Sequence, residues 1–386
     1  MPHLLHRALA ALAASAALFA AAPARADLHI GVILSLTGPA ASLGIPAENS
    51  VKLWPAEIGG QKVKVTVLND NSDPTTAAKN ATKLITEDGV DVIVGPSITP
   101  TSLTVVELAG QNKVPMISLA GGGAIVLPQE GPRKWSFKLS PTEPISVNMV
   151  LDHLLANKGK SVATIGLANS YGEGFLKVLQ SAAAAKGVAV VATEKYGQAD
   201  ASVTAQILKI VSANPDAVYI FSAGTPGALP QIELANRGYK GLVYQTQGVA
   251  NADFLRVGGK SLDGAYMTVA PVLVAEQLPD TNASKKAALD YVKRYEGQYG
   301  AGSRSLFGAT AWSAMTLLNV AVPQAAKKAK PGSPEFRVAL RDALEGLKEI
   351  VTPEAVLNMS ESDHNGVDAR SQVMVRIEGG QWKLAR

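Results

Sequence analysis

Three loops of this 386-residue chain gather hydroxyls, glycines and a phenol where an apolar run gives way to a helical pattern. They are Gly95-Pro-Ser-Ile-Thr-Pro-Thr-Ser102, Leu119-Ala-Gly-Gly-Gly-Ala124 and Ala168-Asn-Ser-Tyr-Gly-Glu-Gly174. Hydroxyls such as those of Ser97 and Thr99, with unencumbered N–H groups at a helix N-terminus, suit an anion such as a carboxylate. In the third loop, Tyr171 adds an aromatic face and free backbone N–H groups are expected beside it. Each loop alone reads as a turn. Three in equivalent places read as a site.

The sets that chemistry would need are not assembled. There is no Gly-x-x-x-x-Gly-Lys-Ser/Thr, no complete Gly-x-Gly-x-x-Gly and no Gly-x-Ser-x-Gly elbow. His29, His153 and His364 fall on a strand, a helix and a loop, which disfavours a nucleophile–His pair or a His metal site. Asp70-Asn-Ser-Asp73 could suggest an oxygen-ligand cation loop, but Pro74 makes it a turn followed by a helix cap. With no cysteine, disulfides, thiolate metal sites and a lipid anchor on cysteine are excluded.

Residues 1–26 read as a secretory leader: Arg7 without acidic neighbours, an apolar Ala8–Ala22, and Ala24-Arg-Ala26 before a cleavage point at Asp27. No later apolar stretch of spanning length is expected. Removing the leader would leave 360 residues with 34 basic and 32 acidic side chains. That balance, with no basic block carrying aromatics, argues against nucleic acid.

The elements that must position these loops alternate strand and helix. Leu28–Leu34, Gln61–Leu68, Val90–Val94 and Val114–Ser118 are expected strands, with a helix from about Ile45 and another opening at Asp73-Pro74. A second set follows Pro144, with strands at Ser161–Leu167, Val188–Thr193, Ala217–Phe221, Gly241–Tyr244 and Gly264–Ala270. Long helices and a terminal hairpin complete the chain. Near-continuous apolar strands linked by helices predict an α/β fold of two doubly wound lobes. Ligands meet such sheets beyond the carboxyl ends of the strands.

Read in order, Ser35-Leu-Thr-Gly-Pro39, Asn69-Asp-Asn-Ser-Asp-Pro74, Val94-Gly-Pro-Ser97, Pro115-Met-Ile-Ser118, Tyr171-Gly-Glu-Gly174 and Gln247-Gly-Val-Ala-Asn-Ala252 resemble the leucine/isoleucine/valine-binding family of periplasmic solute-binding proteins. The resemblance spans the whole chain after the leader. It implies two Rossmann-like lobes joined by three crossovers, the type I periplasmic binding protein fold. Lobe 1 would hold residues 27–141 and 270–352, and lobe 2 residues 142–269 and 353–386. It also implies a monomer that closes on a small ligand and delivers it to an inner-membrane ABC permease, without cofactor, metal or catalysis.

Position by position, the resemblance makes Thr99 a carboxylate-holding hydroxyl and Ala120 a backbone donor to the same group. Gly122 replaces a ligand-gripping threonine, and Tyr171 is the second-lobe aromatic that closes over the ligand. Gln247 stands where amino-acid binders carry a glutamate against the ligand ammonium. Leu43 replaces a tryptophan, Ala223 and Gly224 replace a cleft tyrosine, and Ser72 and Ile98 replace a cysteine pair. A buried ammonium without a counter-charge is costly. The departures therefore imply an aromatic or extended aliphatic carboxylate. A branched-chain amino acid or amide binder, a ligand sensor and a secreted hydrolase on the same fold remain the alternatives.

Overall fold

Leu28–Leu34 is buried along its whole length, as an unalternating run of Leu, Ile and Val requires when both faces of a parallel strand are covered. It centres the first sheet of the computed structural model, which describes residues 27–385. The expected leader lies outside the described residues. In chain order the strands of this sheet are β1 Leu28–Leu34, β2 Glu57–Ile58, β3 Gln61–Asn69, β4 Val92–Val94, β5 Met116–Ser118 and β6 Ser136–Lys138. Their spatial order is β2-β3-β1-β4-β5-β6, parallel except for the short β2–β3 pair. Asp73 caps the helix Pro74–Thr86 by accepting the Thr76 N–H at 2.7 Å, so the Asp70–Asp73 segment is the expected turn and cap.

The second sheet takes β7 Ser161–Leu167, β8 Ala189–Tyr196, β9 Ala217–Phe221, β10 Leu242–Gln245 and β11 Tyr266–Val269, all parallel. A small hairpin, β12 Ile350–Val351 with β13 Val356–Leu357, precedes the terminal strands β14 Val373–Glu378 and β15 Gln381–Leu384. These last two add antiparallel to the edge at β11, giving the order β15-β14-β11-β10-β9-β7-β8. The fold is the expected pair of α/β lobes.

The two lobes repeat one device. A Cβ on Gly44 would stand 2.1 Å from the Ser35 carbonyl oxygen, and one on Gly172 2.1 Å from that of Leu167. Glycine at both places lets the helix after the first strand of each lobe lie directly on the strand's carboxyl end. The first-lobe helix runs Ala41–Val51, starting four residues before the expected Ile45. Pro46 is therefore internal to it, and one helical hydrogen bond is forgone.

Three passages join the lobes. The first is Leu139-Ser140-Pro141, the second leaves β11 at Ala270, and the third returns between Asn365 and Gln372. The first and third lie side by side, since Asn365 Nδ2 donates to the carbonyls of Lys138 (2.9 Å) and Ser140 (2.8 Å). The fully buried Lys138 ammonium donates to the carbonyls of Ser140 and Pro141, and burial pulls its pKa down to about 8. The boundary expected at residue 352/353 falls inside a small hairpin, where β12 pairs with β13 across it and the Met359 N–H donates to Leu347 O at 2.9 Å.

A correction concerns the helix Leu306–Ala326. Its 21 residues are long and apolar enough to cross a membrane. Most of the helix is buried within the first lobe, against Ala41–Val51 and the helix Pro334–Glu345. It is a core helix, apolar all round because it is surrounded.

Candidate functional site

The carboxyl ends of both sheets face each other across one cavity. From the first lobe its wall takes Leu43 of the helix Ala41–Val51, Ser97 to Pro100, Gly121, and Leu306 with Phe307. The second lobe contributes Leu167, Asn169, Tyr171, Gln198, Ala223, Gln247 and Gly248, and Ser140 comes from the first crossing. No Lys, Arg, Asp or Glu is among them. The space measures ≈ 30 Å³, room for a water or two, whereas a cavity that takes benzene is about 150 Å³. Seating a ring therefore requires the lobes to part or side chains such as Leu43 and Phe307 to turn aside.

The first-lobe wall is built of donors. Ser97 Oγ accepts the Ser35 N–H (3.2 Å) and Thr99 Oγ1 accepts the Gly122 N–H (3.1 Å). One lone pair of each oxygen is thus engaged by backbone, and each hydroxyl proton is left to donate. Thr99 is the first residue of the helix Thr99–Gln111, whose N-cap Ile98 supplies no side-chain acceptor. Among the described residues, the N–H groups of Thr99 and Gly121 have no protein acceptor. A helix N-terminus with open N–H groups favours negative charge.

Ala120 and Gly122 stand off this wall. The Ala120 N–H donates to Ser118 Oγ at 3.1 Å, and its methyl is buried in the core behind the sheet. A Cβ on Gly122 would fall 2.5 Å from Thr99 Cγ2. The missing side chain is replaced by the Thr99 methyl, so it does not widen the cavity. The residue that faces the cavity is Gly121. Gly224 is also off the wall: its Cβ position lies 3.2 Å from Pro39 O and Ser42 Oγ of the first lobe, and Ala223 lines the cavity instead.

In the second lobe Tyr171 is held by an aromatic column. Its ring lies 5.0 Å from that of Phe175, which stacks on Phe221 at 5.6 Å. Its edge reaches across to the first lobe, 3.1 Å from where a Cβ on Gly121 would stand. The phenol oxygen is buried without a hydrogen-bond partner, and burial raises its pKa far above the ordinary phenol value. Glycine at 248 makes room for it, a Cβ there standing 2.9 Å from the hydroxyl. The expected free N–H groups beside Tyr171 are closed. Asn169 Oδ1 accepts those of Tyr171 (3.0 Å) and Gly172 (3.2 Å), because an Asn at the N-cap satisfies its own helix.

Gln247 is buried with its amide oxygen engaged: Gln372 Nε2 donates to Gln247 Oε1 at 3.2 Å and to Ser146 Oγ at 2.8 Å. The Gln247 NH2 group is left to serve the cavity. Gln372 arrives on the third crossing, and nothing in the local sequence links it to residue 247. Asn169, Gln198, Leu306 and Phe307 are further wall residues that motif reading missed. Only Asn169, directly before Tyr171 in its loop, carried a signal that could have found it.

A cavity between two α/β lobes, walled by apolar side chains and uncharged polar groups, defines a place for a small ligand. The chain belongs to the periplasmic binding protein family, whose family model matches residues 27–381, with the type I fold. It is similar to the Leu/Ile/Val-binding protein homolog 3 of Brucella melitensis, 26% identical over 361 residues that make up 92% of this chain and 93% of that protein. Among solved structures, an extracellular ligand-binding receptor from Rhodopseudomonas palustris HaA2 is 41% identical with TM-score 0.90, covering 94% of this chain and 100% of that one. An ABC-transporter solute-binding protein from R. palustris BisB5, in complex with 3,4-dihydroxybenzoic acid, shares the fold at 23% identity and TM-score 0.77, over 92% of this chain and 95% of that one.

Proposed function

We propose that this protein is the periplasmic substrate-binding component of an ABC importer that captures a small carboxylate, aromatic or extended aliphatic, by hinge closure. The observation that carries the reading is a wall that has no charged side chain and gathers several open donors. Ser97 and Thr99 offer hydroxyl protons, Thr99 and Gly121 offer N–H groups, and Gln247 offers its NH2 while its oxygen is held by Gln372. A carboxylate answers such donors. An ammonium needs acceptors or a counter-charge, and burying it without them costs several kcal/mol. The aromatic acid held by the BisB5 neighbour agrees with this class. The Leu/Ile/Val-binding name of the Brucella relative favours the second reading, a branched-chain amino acid or amide binder.

No step of catalysis is assigned. His153 bonds the Tyr244 hydroxyl (2.7 Å) and His364 lies against Glu345 (3.1 Å), neither on the cavity wall. An inner-membrane permease as partner, action as a monomer and export by the leader before Asp27 belong to the same proposal.

The reading is tested by thermal shift. Benzoate or a phenylpropanoid acid should stabilise the protein more than leucine or valine does, and at a hundred-fold excess over Kd it should add about 2.7 kcal/mol over the ligand-free protein. A shift produced only by zwitterionic amino acids would overturn the carboxylate assignment.

Thr99 supplies a second test. Thr99→Ala removes one hydroxyl donor from a desolvated anion and should weaken binding by roughly 1.5–3 kcal/mol, about ten-fold or more. Thr99→Ser keeps the hydroxyl and should bind nearly as the wild type does. Calorimetric titration separates them, and equal affinity in the alanine variant would place the anion elsewhere.

A further inference from the structure

One interlobe contact lies away from the cavity wall. Glu143 is the first residue of the second-lobe helix Glu143–Ala156 and is only 5% exposed. Its Oε1 accepts the Gly123 N–H, across the lobe boundary, at 2.8 Å. Two glycines shape its slot. A Cβ on Gly123 would stand 2.6 Å from Oε2, and a Cβ on Gly174 2.9 Å from Oε1. Gly174 is the second glycine of the Tyr-Gly-Glu-Gly motif, and the cavity makes no use of it. Beneath the crossing, the buried Lys138 ammonium attracts the same carboxylate. Lys177 lines the open groove into which Glu143 looks.

Building a carboxylate into a slot between three backbone segments has a structural alternative, the capping of its own helix. That would need the carboxylate to turn back to the N–H groups of residues 145 and 146. It reaches instead to the other lobe, and no side-chain cap is made at this helix start. We infer that Glu143 is a further determinant of ligand affinity that acts through closure and not through contact, as a latch that holds a closed population before any ligand binds. The inference rests on the hinge-closure reading, but not on the identity of the ligand. A latch of this kind stabilises the closed state of every complex that keeps the contact, and so shifts the apparent affinity for every ligand by one common factor.

The chain has no cysteine, so spin labels can be placed at Glu107→Cys on the first lobe and Gln180→Cys on the second, both exposed. Pulsed dipolar distances are then measured without ligand in the otherwise native protein, in Glu143→Gln, in Gly123→Ala and in the control Glu173→Gln. The expected result is a short-distance population in the native protein and the control. That population should fall several-fold in Glu143→Gln, and likewise in Gly123→Ala, which fills the slot from the other lobe. With benzoate as the probe, Glu143→Gln should then require several-fold more ligand to recover the short distance. A native protein showing only the long distance without ligand, or variants with the native distribution, would overturn the latch. Failure of benzoate to bind any of them would count against the proposed ligand class and leave the ligand-free comparison to decide the latch.

Discussion

Tyr171→Ala should weaken ligand binding by about thirty-fold or more and leave the ligand-saturated protein less contracted in small-angle scattering. The ring is nine-tenths buried, packed on Phe175 behind and reaching Gly121 of the other lobe in front. Some 80 Å² of ring face lost from a ligand contact amounts to roughly 2 kcal/mol at 25 cal/mol per Å². Tyr171 lies on the second lobe, whereas Ser97, Thr99 and Gly121 lie on the first, so the loss falls on the closed state. Only contacts that differ between states shift an equilibrium. The truncation also empties part of the second-lobe core, which should cost about 3–5 kcal/mol of stability. Tyr171→Phe separates the two effects. Its hydroxyl has no partner, so phenylalanine should fold at least as stably as tyrosine. Equal contraction of the alanine variant and the wild type would show that closure does not depend on this ring.

The second large effect is on stability, at a residue off the cavity wall. Glu354 is buried beside the core helix, with Oε1 accepting the Thr310 hydroxyl at 2.8 Å and Oε2 without a partner. Burial pushes its carboxyl up to about 7 from an ordinary 4.5. In the unfolded chain the proton leaves near the ordinary value, while in the folded protein it stays until about pH 7. Between these two values the folded state binds the extra proton, so stability falls as pH rises through that window and stays lower above it. The penalty is on the order of 3 kcal/mol, at 1.36 kcal/mol per unit. Glu354→Gln cannot titrate. Urea denaturation should find it about 2–3 kcal/mol more stable than the wild type at pH 8 and close to it at pH 4.5. Parallel pH profiles for the two proteins would mean that the carboxylate is already stable as an anion.

The sequence by itself determined the two-lobe α/β architecture, because a continuous apolar strand such as Leu28–Leu34 and a capped helix such as Pro74–Thr86 carry their own local energetics. It also marked the loops at Ser97, Thr99 and Tyr171, since hydroxyls and glycines between strand and helix are visible one residue at a time. Strand β6, only three residues long, shows no period to read. Leu306 and Phe307 begin an apolar core helix, and nothing local says that its first turn meets the cavity. Only the tertiary structure decided which donors are free. The Ala120 N–H is taken by Ser118, the Gly122 N–H by Thr99 and the N–H groups of Tyr171 and Gly172 by Asn169, while those of Thr99 and Gly121 stay open. It also decided that Gln247 presents nitrogen and not oxygen, through a glutamine 125 residues away. A hydrogen bond is a pairing, and a buried donor serves a ligand only if no other part of the chain reaches it first.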